Sequence, residues 1–329
     1  MRFTKMHGCG NDFIFINCFE ETVAEADESR LAQVLSDRNF GVGGDGVVFV
    51  SPSKEADVLM KMYNADGSYS AMCGNAIRCV AKFAHDNRLT ESVNQVNNPL
   101  ATSANQVDTP AHISVNEVSV LPATPTNHPN TLPITIKVAS GNHIYDVELT
   151  PQSENDPQAF SSSLARVNMG KPETTAKLIP VTSDHEQVID EELDIGGTIY
   201  RMTCVSMGNP HAVVFGQDWD KLQINSIGSL FENHERFPER TNVEFVEVID
   251  RQTVQMRVWE RGNGETLSCG SGSCAVLVAC VLGGLTDREI TVRQPGGELL
   301  ISWDDETDNV YMQGEAVTVF TGAMNTSKS

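Results

Sequence analysis

Short runs of alternating apolar and polar residues recur along this chain of 329 residues. Runs of that period, bounded by Gly, Asp and Asn, read as strands. They fall at Phe13–Ile16, Val47–Val50, Val58–Tyr63, Ile134–Val138, Ile144–Leu149, Val213–Phe215, Val243–Ile249, Val254–Trp259, Ile290–Arg293 and Leu299–Trp303. Helical spacing is rarer. Ile77, Val80, Ala81 and Ala84 form one stripe at the helical period. Ala275–Leu282 is apolar on nearly all sides, the pattern of a buried helix.

Each predicted helix follows a Cys-Gly turn: Met72-Cys73-Gly74-Asn75-Ala76 in one case, Ser268-Cys269-Gly270-Ser271-Gly272 in the other. The two cysteines are 196 positions apart. Gly46-Val47-Val48-Phe49-Val50 and Asn242-Val243-Glu244-Phe245-Val246 keep that offset, as do Leu89-Thr90 and Leu285-Thr286. Gly10-Asn11 and Gly208-Asn209 differ by 198. Such self-similarity predicts two similar halves. The expected fold is α+β: two pseudo-symmetric domains, each a mixed or antiparallel sheet wrapped around one central helix, with the site in the cleft between them. The halves are expected at 1–150 and 151–313, the first completed by a C-terminal strand within 314–329. Ile134-Thr135-Ile136-Lys137 resembles Ile290-Thr291-Val292-Arg293 at an offset of only 156, so the first half has gained 40 residues. That insertion, about 94–133, is rich in Asn, Thr, Pro, Ser and Ala, and only His112–Leu121 alternates like a strand. It reads as a surface loop or flap.

Composition narrows the function classes. The length allows two domains with real cores. The net charge of −21 argues against a nucleic-acid partner, whose phosphates would be repelled. The strongest apolar run, Cys274–Leu285, is too short to span a bilayer, and the residues after Met1 lack the apolar core of a signal peptide. A cytoplasmic protein with reduced cysteines and no membrane contact is the expectation.

Both Cys-Gly turns sit at predicted helix starts, where unpaired N–H groups and the helix dipole favour a thiolate and can hold a carboxylate. Gly74 and Gly270 let a ligand approach the backbone. Two such turns facing each other would grip a carboxylate and place one sulfur on each side of the adjacent carbon. One thiolate could then remove a proton while the opposite thiol delivers one, inverting that carbon. The carbanion would be stabilised by aimed N–H dipoles. No dinucleotide, phosphate-loop or zinc-protease motif points to a cofactor. A lone cysteine before a helix is usually a packing residue; the symmetric pair reverses that reading. Cys9, Cys18, Cys79, Cys204, Cys274 and Cys280 are read as packing residues. Cys73 and Cys79 lack the second close pair that a zinc site would show, so no metal is expected.

Several blocks carry a resemblance. Lys5-Met6-His7-Gly8-Cys9-Gly10-Asn11-Asp12-Phe13, Tyr63-Asn64-Ala65-Asp66-Gly67-Ser68 and the segment Met72–Arg78 resemble diaminopimelate epimerases. So do Val205-Ser206-Met207-Gly208-Asn209-Pro210-His211, Arg240-Thr241-Asn242, Glu260-Arg261-Gly262-Asn263-Gly264-Glu265-Thr266 and Cys269-Gly270-Ser271-Gly272. The resemblance covers the chain except the insertion. It implies a cofactor-independent epimerase interconverting LL- and meso-2,6-diaminopimelate, on the route to lysine and peptidoglycan precursors. By analogy Cys73 takes the proton from the LL form and Cys269 from the meso form. Gly74-Asn75 and Gly270-Ser271 match the cradle for the reacting carboxylate. Asn11, Asn64, Asn209, Asn242, Glu260 and Arg261 match the substrate-binding set. A second amino-acid group on the substrate needs a cation and acceptors, which those residue types supply; each also has the plainer reading of a turn or surface residue. His211 either tunes the thiols or hydrogen-bonds within the cleft wall. Gly46 departs from the pattern, standing where some members carry a substrate-facing Gln. A homodimer is compatible with the resemblance. The rivals are a proline or hydroxyproline racemase, an isomerase of the phenazine-biosynthesis type that lacks the cysteine pair, and a non-catalytic amino-acid-binding protein.

Overall fold

The computed structural model describes residues 1–90, 133–151, 161–216 and 221–324. The insertion at about 94–133, with its strand-like His112–Leu121, lies outside the described residues except for residue 133.

The first half runs β1 (Arg2–Gly8), β2 (Asn11–Asn17), α1 (Glu25–Ser36), β3 (Gly46–Ser51), β4 (Val58–Asn64), β5 (Tyr69–Ser70), α2 (Gly74–Asp86), β6 (Ile134–Ser140), β7 (His143–Pro151) and β8 (Ser161–Asn168). After β9 (Glu191–Ile195) the same order returns: β10 (Thr198–Ser206), β11 (Pro210–Phe215), α3 (Ile224–Glu232), β12 (Asn242–Asp250), β13 (Thr253–Glu260), β14 (Gly264–Thr266), α4 (Gly270–Leu282), β15 (Glu289–Gln294), β16 (Gly297–Trp303) and β17 (Val310–Ala323).

Pairing follows the repeat. In the first half, β1 pairs with β2, β2 with β3, β3 with β4, β4 with β6, β6 with β7 and β7 with β8. β17 then joins β8 to β1 and closes the ring. The parallel pairs are β2–β3 and β4–β6. Their counterparts β11–β12 and β13–β15 are also parallel, and the rest of that sheet is antiparallel. A bridge between Glu173 and Ser206 ties the chain after β8 to β10. Both sheets are therefore mixed, and each curls around its helix, as the alternation predicts.

The helices are legible in their burial. From Gly270 to Cys280 every residue of α4 is buried, because the helix is apolar all round and has no polar face to give to water. Gly74 to Ala84 of α2 is buried as well, although it includes Arg78 and Lys82. One continuous apolar core runs through both sheets and both helices. Smaller clusters pack under α1 and α3 on the outside of each half. Among the described residues no helix is long and apolar enough to cross a membrane.

Candidate active site

The tight turn Cys9-Gly10 joins β1 to β2 with positive φ at both residues, 52° and 75°, the geometry that suits a two-residue hairpin. It delivers Asn11 to the end of the first sheet. Asn64 ends β4, and Cys73 is the N-cap residue of α2. The second half presents Asn209 beside the β10–β11 turn, Asn242 at the start of β12, Glu260 at the end of β13, and Cys269 as the N-cap residue of α4. All of these, with Gly74, Asn75, Arg261, Gly270 and Ser271, line one cavity of about 1950 Å³.

The two helix starts meet. A Cβ built on Gly270 would lie 3.5 Å from Gly74 Cα and 2.8 Å from Met312 Sδ; one on Gly74 would lie 2.9 Å from Met312 Cε. Glycine at both positions allows this approach, and Met312 of β17 fills the space beneath. The first N–H groups of both helices thus converge on the same end of the cavity. Ser271 and Asn75 are buried beside them. Asn75 Nδ2 donates to Ser268 Oγ at 3.1 Å and to Asn11 Oδ1 at 3.3 Å, linking the two halves. Cys73 Sγ donates to Asn11 Oδ1 at 3.7 Å. Asp45 accepts from Asn11 Nδ2 at 2.5 Å and so aims that carbonyl at the thiol.

Burial pushes the Cys73 thiol up to about 11, against the helix N–H groups of Ala76 and Asn75; the Glu260 charge adds to the rise and Arg78 opposes it. Burial and the charges of Glu260 and Glu244 raise the Cys269 thiol well above its ordinary range, while the Gly272 N–H and Ser271 hydroxyl work the other way. Gly272 N donates to Cys269 Sγ at 3.4 Å, and Gln294 Oε1 fixes the Cys269 N–H at 2.8 Å. Burial also raises the Glu260 carboxyl, and a hydrogen bond from Thr266 opposes the rise. Burial thus opposes ionisation of both thiols.

The remaining predicted residues are placed as follows. Asn242 is buried, donates to the Pro210 carbonyl at 2.8 Å and accepts from the Arg261 N–H at 2.9 Å, so its amide also braces the wall. Asn64 Nδ2 donates to Ser68 Oγ at 2.9 Å. Arg261 lies at the rim and donates to the Glu239 carbonyl at 3.0 Å. His211 is fully buried behind the cavity, between Glu244 Oε1 at 2.7 Å and Asn209 Oδ1 at 3.0 Å. At Gly46 a Cβ would fall 2.4 Å from the Tyr63 carbonyl oxygen, so the paired β4 backbone occupies the place of a side chain.

Sequence reasoning missed Asp45, Ser268, Gln294 and Glu244. For Glu244 a signal existed. It is the repeat partner of Val48, and both are fully buried. A carboxylate at a core position of the repeat marks a special environment.

Comparison with known proteins now bears on this geometry. The sequence model of the family described as diaminopimelate epimerase matches residues 3–110 and 203–319. The chain belongs to the diaminopimelate epimerase family. Among curated members of that family, the diaminopimelate epimerase of Acetivibrio thermocellus is 44% identical over 325 residues, covering 99% of both chains. That of Methanococcus maripaludis is 42% identical and covers 99% of this chain and 100% of its own. Solved structures extend the likeness to the fold. A probable proline racemase from Agrobacterium radiobacter superposes with a TM-score of 0.62 at 12% identity, covering 99% of this chain and 93% of its own. A phenazine biosynthesis protein of the PhzF family from Bacillus anthracis gives 0.59 at 15% identity over 99% of both chains. These two carry the architecture alone. The family assignment rests on the sequence relatives, which match at about three times that identity over their full length.

Proposed function

We propose that this protein is a diaminopimelate epimerase that inverts one α-carbon of 2,6-diaminopimelate between its LL and meso forms, without a cofactor. The observation that carries this reading is the meeting of two Cys-Gly helix starts at one end of a shared cavity, in a chain over 40% identical to named diaminopimelate epimerases across its length.

In this mechanism the reacting α-carboxylate lies between the N-termini of α2 and α4, held by N–H groups of Gly74-Asn75 and Gly270-Ser271. Cys73 and Cys269 then flank the α-carbon. One, as thiolate, removes the α-proton, and the other, as thiol, returns a proton to the opposite face. The protons balance, and the two cysteines exchange states in each turnover. Burial disfavours both thiolates, so the N–H groups at the helix starts must favour the thiolate as the site fills. Asn11, Asn64, Asn209 and Asn242 supply hydrogen-bonding groups, Glu260 receives an ammonium, and Arg261 receives the distal carboxylate. The likeness to proline racemase is one of fold, and a cyclic imino acid would leave Glu260 and Arg261 without partners. We take the enzyme to be cytoplasmic and homodimeric on the strength of the family reading.

The test is α-proton exchange of LL-diaminopimelate in deuterated water, followed by NMR with proline as control. Deuterium should enter the α-carbon as the meso form appears, and Cys73→Ala or Cys269→Ala should abolish epimerisation while circular dichroism stays native. Exchange of proline alone would move the protein to the racemase class. Near-native turnover in either alanine variant would refute the two-thiol mechanism.

A further inference from the structure

Among the described residues, Arg78 is the largest side chain that is fully buried. Among the described residues its partners are neutral. Nη2 donates to Asn75 Oδ1 at 2.8 Å and to Cys9 Sγ at 3.5 Å, Nη1 to Met312 Sδ at 3.4 Å, and Nε to the Glu315 backbone carbonyl at 3.4 Å. The Glu315 side chain itself is exposed. Other buried cations here are neutralised: Lys5 pairs with Asp12 at 2.6 Å and Lys82 with Asp86 at 2.7 Å. A guanidinium held in a dry interior without a carboxylate costs the fold stability.

The place of this charge suggests what it is for. Met312 Sδ touches Arg78 and lies beneath Gly74 and Gly270, so the guanidinium sits one side chain below the paired Cys-Gly turns. It does not line the cavity. It also fixes Asn75, leaving Asn75 Nδ2 to face Asn11 and Ser268.

We propose that Arg78 is the buried counter-charge of the reaction centre, left unpaired in the free protein so that it balances the negative charge of a bound α-carboxylate and a thiolate between the two helix starts. This rests on the epimerase reading. Arg78 acts by its charge from beneath the turns without lining the cavity, and is a positioning residue. Of the charges around Cys73, Glu260 from β13 opposes the thiolate and Arg78 from α2 favours it. Arg78 in turn is surrounded by Cys9 in the β1–β2 turn, Cys79 on α2, Cys274 on α4 and the Glu315 backbone of β17.

Arg78→Met removes the charge at similar length, and Arg78→Lys keeps the charge but loses the fork to Asn75. Three readouts decide: melting temperature without ligand, the pH dependence of Cys73 alkylation by iodoacetamide followed by peptide mass spectrometry, and KM for LL-diaminopimelate. The Met variant should melt no lower than the native protein. Its alkylation profile should move upward by about one pH unit, and its KM should rise by at least about tenfold. The Lys variant should keep the native alkylation profile. Native alkylation and KM in the Met variant would overturn the proposal. So would failure of that variant to fold, because a charge reserved for the ligand is a burden on the free fold. If the native enzyme exchanges no α-proton of diaminopimelate, the epimerase reading fails separately. Alkylation and melting still report whether Arg78 governs the thiol.

Discussion

Asp12 holds several partners at once. Its carboxylate pairs with Lys5 at 2.6 Å and with Arg38 at 2.7 Å, while its own N–H donates to Asp45. Asp45 reaches Arg38 and Asn11, so the loop 37–45 is pinned to the wall of the site through ionised groups. Burial alone would raise the Asp12 carboxyl; hydrogen bonds from Arg38 and Lys5 outweigh it and bring it down to about 2. A carboxyl depressed in the folded state stabilises the fold above its unfolded value of about 4, and that contribution is lost as pH falls towards 2. Asp12→Asn should therefore cost about 2 kcal/mol at pH 7, and the gap to the native protein should narrow by pH 2.5. Urea denaturation of both proteins at the two pH values measures it; a gap equally wide in acid would mean the charge is not its source. At this scale the sequence was readable where it repeats itself. Cys73 and Cys269 share an offset with their surroundings, and Asn75 and Ser271 share it too. Arg78 was opaque because only the folded chain shows that its charge has been taken out of water.

The elements that were legible are those whose hydrophobic period is undiluted. α4 is apolar throughout, and the ten predicted strand runs all fall inside observed strands. β1, β8 and β10 escaped because Ser, Thr, Gly or charged residues occupy both faces in their sequences, and their burial comes from neighbours in the closed sheet. α1 escaped because its first turn is acidic and only a narrow stripe around Ala32 and Leu35 is buried. The repeat also shows where the two halves differ. Gly46 and Asn242 are repeat partners at the same point of a parallel strand pair, and Asn64 is partnered by Glu260. The helix starts match closely while the flanking walls do not, as a substrate with one reacting centre and a different far end requires. At Gly46 the wall is backbone, with the Tyr63 carbonyl where a Cβ would be. Gly46→Ala should therefore destabilise the protein by about 2 kcal/mol, because a central β-pair must open to admit a methyl group. A denaturation midpoint within error of the native value would show that β3 and β4 can separate there at little cost.

For the whole molecule, the closing strand matters most. β17 pairs with β16 through Val310–Gln313, with β8 through Tyr311–Thr318, and with β1 through Val317–Ala323. One strand thus ends the second sheet and completes the first. It also supplies Met312 beneath both helix starts and the Glu315 carbonyl to Arg78. The sequence reading places a C-terminal strand in the first half, but alternation alone could not reveal that one strand serves both sheets. The continuous core through α2 and α4 points the same way. Removing residues 314–329 would leave β1 and most of β8 as open edges and uncover Phe3, whose buried ring packs against Phe320 in the complete protein. The net stability of a domain is only about 5–15 kcal/mol, and losing a central strand exceeds that margin. The truncated chain should therefore lose amide-exchange protection throughout β1, β2 and α2 and should epimerise nothing, even though both cysteines and most of the cavity wall remain in its sequence. Slow exchange persisting at Phe13–Ile16 in that chain would mean the first sheet closes without β17. The coupling of the two halves would then have to come from the contact between the helix starts.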